Sequence, residues 1–179
     1  MLYSTSYPSL LGEITLVSDG ENIVGLRLAE DRHFDVPVEN CVEANFDLPA
    51  FAMAKKWLDA YFSGWKPPIS ELPIAPAGNE FRQTVWGLLC EIPYGQCTTY
   101  GEIAKKTAAR LNKKCMASQA VGGAVGHNPI SIIIPCHRVI GANGNLTGYG
   151  GGISRKIKLL ELEGVDMSNF FIPRKGTAL

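Results

Sequence analysis

The chain has 179 residues, 46% apolar and 19% charged, a composition that suits a soluble globular protein of one mid-sized or two small domains and argues against disorder or a membrane span. Its five cysteines are odd in number with no C-x-x-C pair, and His33, His127 and His137 lack helical ligand spacing, so no disulfide framework, metal site or cofactor is expected. The net charge of zero hides an asymmetry, because residues 1–78 carry 5 Lys/Arg against 11 Asp/Glu while residues 79–163 carry 10 against 5, which points to a polyanion held by the second part.

In chain order, Met1–Tyr7, Leu11–Ser18 and Asn22–Leu28 read as short strands, punctuated by Leu11-Gly12 and Asp19-Gly20. Asp47 is positioned to cap a helix over Leu48–Phe62. There Phe51, Ala54, Trp57, Leu58 and Tyr61 share one face and Gly64 follows the end. The proline-rich run from Lys66 to Gly78 reads as an extended linker. The expected domains are therefore 1–75, a small α/β unit, and 76–179.

Beyond the linker, Phe81, Val85, Trp86, Leu88 and Leu89 form a helical apolar stripe that stops at Ile92-Pro93-Tyr94-Gly95. Thr99-Tyr100-Gly101-Glu102 has the form of a capping box, with Glu102 reaching back, and opens a short helix through Ile103 and Ala104. A basic loop with Arg110, Lys113 and Lys114 leads to a second short helix near Ser118 that contains Gln119, Ala120, Gly122 and Gly123. Two short helices in a basic segment suggest a helix-turn-helix on DNA. The adjacent glycines cost about 1 kcal/mol each relative to alanine, so either a packed helix or a ligand must approach that backbone closely.

The stretch from Asn128 to Val139 carries the chemistry. Its isoleucines read as a buried strand-like segment, and Pro135 sets a turn that presents Cys136. A lone buried cysteine is usually inert; the adjacent His137 and Arg138 argue otherwise here. The thiolate is the nucleophile and a free thiol is mostly protonated at neutral pH, so a base is needed, and His137 is the imidazole close in sequence. In extended chain the two side chains would face apart, so contact requires the Pro135 turn or a bridging water. Glu163, at the end of a helix over Ser154–Glu163 stopped by Gly164, is the candidate to orient the imidazole.

The segments VWGLLCEIPYG, TTYGEIA, AVGGAVGHNP, IIIPCHRVIG, TGYGGG and KIKLLELEG, in this order over residues 79–164, resemble the methylated-DNA–protein-cysteine methyltransferases. That resemblance implies an α/β fold with a ribonuclease-H-like N-terminal domain and a mainly helical C-terminal domain bearing a winged helix-turn-helix. It further implies single-turnover transfer of a methyl or other alkyl group from O6-alkylguanine, with O4-alkylthymine as a further candidate. It makes Cys136 the alkyl acceptor, His137 a water-bridged base and Glu163 the acid completing the relay. Asn128 would brace the turn, and Tyr100 would help rotate the nucleotide out and give a proton to the leaving guanine. The Val139 carbonyl would read the guanine amino group, and Tyr149, Gly150 and Gly151 would close over the flipped base. Gln119, Ala120, Gly122, Gly123, Arg110, Lys113, Lys114 and Arg138 would contact DNA. The implied partner is double-stranded DNA containing alkylated guanine, met by a cytoplasmic protein, a monomer without DNA, that has no membrane contact.

Two positions depart from the family pattern. Gln119 stands where relatives carry an arginine finger that fills the gap left by the extruded base, which predicts weaker insertion. Gly150 stands where a serine is common, which suggests room for bulkier alkyl groups. The competing readings are a non-catalytic binder of alkylated DNA, a helix-turn-helix regulator and a papain-like hydrolase. Retention of Cys136, lack of a sensor domain and the need for a distant histidine and asparagine weigh against them in turn.

Overall fold

The computed structural model describes residues 1–29, 31, 34–44 and 48–173. Strands β1 (Tyr3–Ser9), β2 (Gly12–Ser18) and β3 (Ile23–Leu28) form an antiparallel meander, and β4 (Val42–Glu43) joins β1 in parallel, giving the order β3-β2-β1-β4. Helix α1 (Pro49–Phe62) begins on a proline, which loses no hydrogen bond at that position. Its predicted cap, Asp47, lies outside the described residues. The face carrying Phe51, Ala54, Trp57, Leu58 and Tyr61 is buried, as its spacing dictates. Tyr7 Oη donates to Asp59 at 2.7 Å and pins the helix to the sheet.

The proline-rich connection is not free of the sheet. Ile23 N donates to Pro73 O at 2.7 Å and Ala75 N to Ile23 O at 2.9 Å, so the connection extends the sheet at β3. Farther along the same edge, Leu26 N donates to Pro129 O at 2.8 Å and Ser131 N to Leu26 O at 3.3 Å. These bonds cover an edge that would otherwise expose unpaired backbone groups, and they tie the segment before Cys136 to the N-terminal sheet. One apolar core consequently runs through both sequence halves, joining Ile14, Leu26 and Leu58 to Val85, Trp86, Ile130 and Val139. Each fully buried aliphatic side chain among them contributes roughly 1.5–3 kcal/mol.

The second half is mainly helical. Helix α2 (Glu80–Cys90) is capped by Asn79, whose side chain accepts from Arg82 N. Thr99 ends the two-residue β5 (Thr98–Thr99) and caps α3 (Tyr100–Arg110) by accepting from Glu102 N at 3.2 Å. The expected return bond from Glu102 gives way to an ion pair with Lys105 at 3.0 Å, one helical turn on. Helix α4 (Ser118–Gly126) is held to α2 by Trp86 Nε1 donating to Ala124 O at 2.8 Å. The short β6 (Val139–Ile140) runs parallel to β5, and α5 (Ile153–Leu162) closes the unit with Lys156, Leu159 and Leu160 facing inward. No helix among the described residues is long and apolar enough to cross a membrane.

Candidate active site

The isoleucine run before Cys136 is buried as expected but is a tight turn rather than a strand. Ile133 N bonds Ser131 O, Ile134 N bonds Ile130 O, and Ile132 takes φ +73°, a conformation costly for a β-branched residue. Asn128 holds that turn from inside, accepting from Ile130 N at 3.0 Å and donating to Ile134 O at 2.8 Å. Pro135 then leads into one turn of 3-10 helix formed by Cys136, His137 and Arg138, so these side chains do not alternate as in extended chain. The nucleophile candidate therefore sits on a braced backbone.

Behind the thiol lies a fully buried relay. His137 Nε2 is 2.7 Å from Glu163 Oε1, and since a carboxylate only accepts, the imidazole donates there and leaves Nδ1 with its lone pair. Nδ1 is buried with no hydrogen-bond partner. Glu163 also accepts from Tyr61 Oη (2.7 Å), Arg138 Nε and Nη2 (both 2.9 Å) and Gly95 N (3.0 Å). Gly95, at φ +76°, leaves no room for a side chain, since a Cβ would lie 2.8 Å from Glu163 O.

Burial alone would push the Glu163 carboxyl up, but the bonds and charges of His137 and Arg138 outweigh it and hold the group at about 2. Burial lowers the His137 pKa against the pull of Glu163, so the resting pair is a neutral imidazole on a carboxylate. Burial likewise raises the Cys136 thiol, while Asn128 and the Lys156 charge draw it back down and Asp31 adds to the rise. The resting sulfur is a thiol, and the imidazole of His137 belongs to the next residue of the same 3-10 turn.

In front of the thiol, Tyr100 Oη donates to Thr147 O (3.3 Å) and Gly148 O (3.2 Å), tying the first turn of α3 to the loop after β6. Burial keeps this phenol protonated well past neutral pH. Lys156, unexpected in an apolar helix face, donates to Val139 O (2.6 Å) and Thr147 O (2.9 Å), and burial lowers it to about 8. The Val139 carbonyl assigned to base recognition thus already holds one donor, leaving its second lone pair for another. Arg155 fastens the loop to the N-terminal unit through Leu11 O, Ala29 O and Gly151 O.

Tyr149 and Gly151 are buried and Gly150 partly so, and of these Tyr149 and Gly150 lie beside the thiol. The pocket they form with Asp31, Asn128 and Cys136 encloses only about 10 Å³. The space expected at Gly150 is occupied by the Asp31 carboxylate, which a Cβ there would meet.

Outside this pocket opens a cleft of about 550 Å³ lined by Tyr100, Gln119, Gly122, Gly123, His127 and Gly148, among others. Gln119, Ala120 and Gly123 are exposed on α4. A Cβ on Gly123 would meet nothing within 4 Å and one on Gly122 only an ordinary contact with Tyr100. Close packing within the protein therefore does not account for the glycine pair. Lys113 and Lys114 are exposed in the connector between α3 and α4.

One of the expected DNA contacts is corrected, and the place of a second. Arg138 is buried, bonded to Glu163 and to Ile92 O (2.7 Å) and stacked near Tyr94, so phosphate does not reach it. Arg110 ends α3 rather than lying in the loop, and its guanidinium is paired with Glu91 at 2.5 Å. Sequence reasoning missed Tyr61, Gly95, Lys156, Arg155 and Asp31. A buried-face spacing shared by Lys156 with Leu159, Leu160 and Glu163 was the available signal for the lysine, and a phenol on the apolar face of α1 for Tyr61.

The family model described as the 6-O-methylguanine DNA methyltransferase DNA binding domain matches residues 80–165, and its ribonuclease-like domain matches residues 2–76. A methylated-DNA–protein-cysteine methyltransferase of Haemophilus influenzae is 43% identical over 162 residues, 90% of this chain and 86% of its own. One of Mycolicibacterium paratuberculosis is 51% identical over 163 residues, 91% of this chain and 93% of its own. The Mycobacterium tuberculosis OGT in complex with DNA is 42% identical, with a TM-score of 0.77 and coverage of 90% of this chain and 93% of that one.

Proposed function

Because the chain belongs to the methylated-DNA–protein-cysteine methyltransferase family, we propose that Cys136 is the atom-accepting centre of its reaction and that the surrounding groups act as follows. The protein repairs DNA by direct reversal, and DNA is its partner. The substrate is alkylated guanine in duplex DNA, O6-methylguanine first, met by a cytoplasmic protein that is a monomer without DNA.

The thiol proton passes to His137 Nδ1, the one relay nitrogen left open, directly or through water, while Glu163 steadies the imidazolium that forms. The thiolate attacks the alkyl carbon, the new S–C bond replaces the C–O6 bond, and the electron pair leaves on guanine. Tyr100 gives the purine a proton and regains one from the relay or solvent, so charge balances. A base stacked in a duplex cannot meet a buried sulfur, so the nucleotide must be flipped, at a cost of a few kcal/mol. Helix α4 faces that task with Gln119 and side-chain-free backbone at Gly122 and Gly123, and Lys113 and Lys114 meet phosphate. The thioether has no exit, which limits each chain to one turnover.

The observation that carries this reading is the buried Cys136, His137, Glu163 and Arg138 constellation, with Cys136 in a small pocket that shares Gly126, Gly148 and Gly150 with the α4-lined cleft. Intact-protein mass after incubation with O6-methylguanine duplex tests it. A gain of one methyl, mapped to Cys136 and abolished in Cys136→Ser, is expected; retained binding with no mass gain would favour the non-catalytic alternative.

A further inference from the structure

Tyr61 reaches the relay from the N-terminal unit, near the end of α1. Its side chain is fully buried, stacked on Trp57 with 5.3 Å between ring centres and met edge-on by Tyr94 at 5.9 Å. Its Oη donates to Glu163 Oε1 at 2.7 Å, the same oxygen to which His137 Nε2 donates at 2.7 Å and Arg138 Nη2 at 2.9 Å. Three donors thus share an oxygen with two lone pairs, while Oε2 takes Arg138 Nε and Gly95 N. The carboxylate is satisfied without the phenol, so satisfaction alone does not explain a hydroxyl there. The phenol oxygen is 3.4 Å from His137 Nε2, too long for a strong bond of its own with the imidazole.

We propose that Tyr61 is a positioning residue for alkyl transfer that works through Glu163, sharing the oxygen the imidazole uses and so holding His137 in the neutral form that can take the thiol proton. The inference rests on the alkyl-transfer reading above. Oε1 is the atom that stabilises the imidazolium, and every other donor on it draws off negative charge and weakens that hold. The remaining ionisable groups around the ring leave this control to Glu163. Lys156 from α5 and Arg138 from the same turn are cations that oppose a second positive charge, and Glu163 favours it. Cys136 in the turn, Cys90 at the end of α2, Tyr94 and Tyr149 are neutral near pH 7, each raised by burial. Burial and the Glu163 charge also keep the Tyr61 phenol protonated well past neutral pH, so it donates throughout the working range. Without it, Glu163 holds the imidazolium more tightly, His137 takes up a proton at higher pH, and transfer fails sooner on the acid side.

The test measures single-turnover methyl transfer from O6-methylguanine duplex against pH in wild type, Tyr61→Phe and Trp57→Phe. NMR titration of labelled His137 without DNA accompanies it. Tyr61→Phe keeps the ring and removes the donor; Trp57→Phe disturbs the stack on Tyr61 and keeps the donor. In Tyr61→Phe the acid limb of the rate and the His137 titration are both expected to rise by about one pH unit, and neither moves in Trp57→Phe. A lower rate plateau in Tyr61→Phe with limb and titration unmoved overturns the inference alone, because the phenol would then serve packing. An equal shift in Trp57→Phe also overturns it. No methyl gain in wild type at any pH overturns the underlying reading, and the inference with it.

Discussion

The two sides of Cys136 are built on opposite plans. Behind it, the side chains of His137, Arg138, Tyr61 and Glu163 are buried, and one carboxylate gathers hydrogen bonds from four residues. In front, α4 offers an exposed glutamine, an exposed alanine and glycines with open space above them. The first arrangement is complete without a partner; the second makes sense only against one. On the proposed reading, bond-making chemistry loses rate steeply with misplacement, so its groups are fixed by folding, whereas extrusion of the base would be a contact made with DNA and left unmade until DNA arrives.

The sharpest way to break this contrast is Glu163→Gln. An amide cannot satisfy two arginine bonds, the imidazole and a phenol together. The variant is expected to lose about 3–5 kcal/mol in chemical denaturation and to transfer methyl at least about a hundredfold more slowly. Transfer at the wild-type rate would mean that the relay does not serve the reaction.

Acid titration sharpens the same point. Glu163 sits at about 2 in the fold, below its unfolded value of about 4.3, so its contribution is fully present above about 4.3 and is lost as pH falls toward 2. His137 is also depressed by burial, so the stability tied to its neutral form is present above about 6.5 and falls below it. Urea midpoints between pH 8 and 3 should fall in those two windows, and the lower one should flatten in Glu163→Gln.

Tyr61→Phe is milder. It removes one donor of several and keeps the ring, so about 1.5 kcal/mol of stability and less than a tenfold loss of rate are expected, read by denaturation and single-turnover kinetics. Smallest in the folded protein is Gln119→Arg on exposed α4. Thermal stability should move by less than about 0.5 kcal/mol, while DNA binding tightens and its salt dependence steepens by about 0.9 in logarithmic slope. Titrations at several salt concentrations measure both.

The same contrast explains what the sequence disclosed. Cys136, His137, Asn128 and the α4 glycines lie within twenty residues of one another, and their spacing is itself the motif. Glu163 was reachable because one helix with clear ends returns it. Tyr61 and Asp31 were not, because they arrive from the other half of the chain through packing that no local pattern encodes. Arg138 was misassigned for the same reason: beside a DNA-binding motif an arginine reads as a phosphate contact, and only the fold shows it turned inward onto Glu163. The early strands and α1 were legible from alternation and helical spacing, whereas the turn at Ile132 was hidden by an apolar run that fits strand and turn equally.

The most direct test of the division between the two sides compares single-turnover alkyl transfer from free O6-benzylguanine, which needs no flipping, with transfer from O6-methylguanine duplex. Glu163→Gln is expected to slow both substrates alike, and Gln119→Ala to slow the duplex alone. A Gln119→Ala variant equally impaired on the free base, or a Glu163→Gln variant impaired only on duplex, would contradict it.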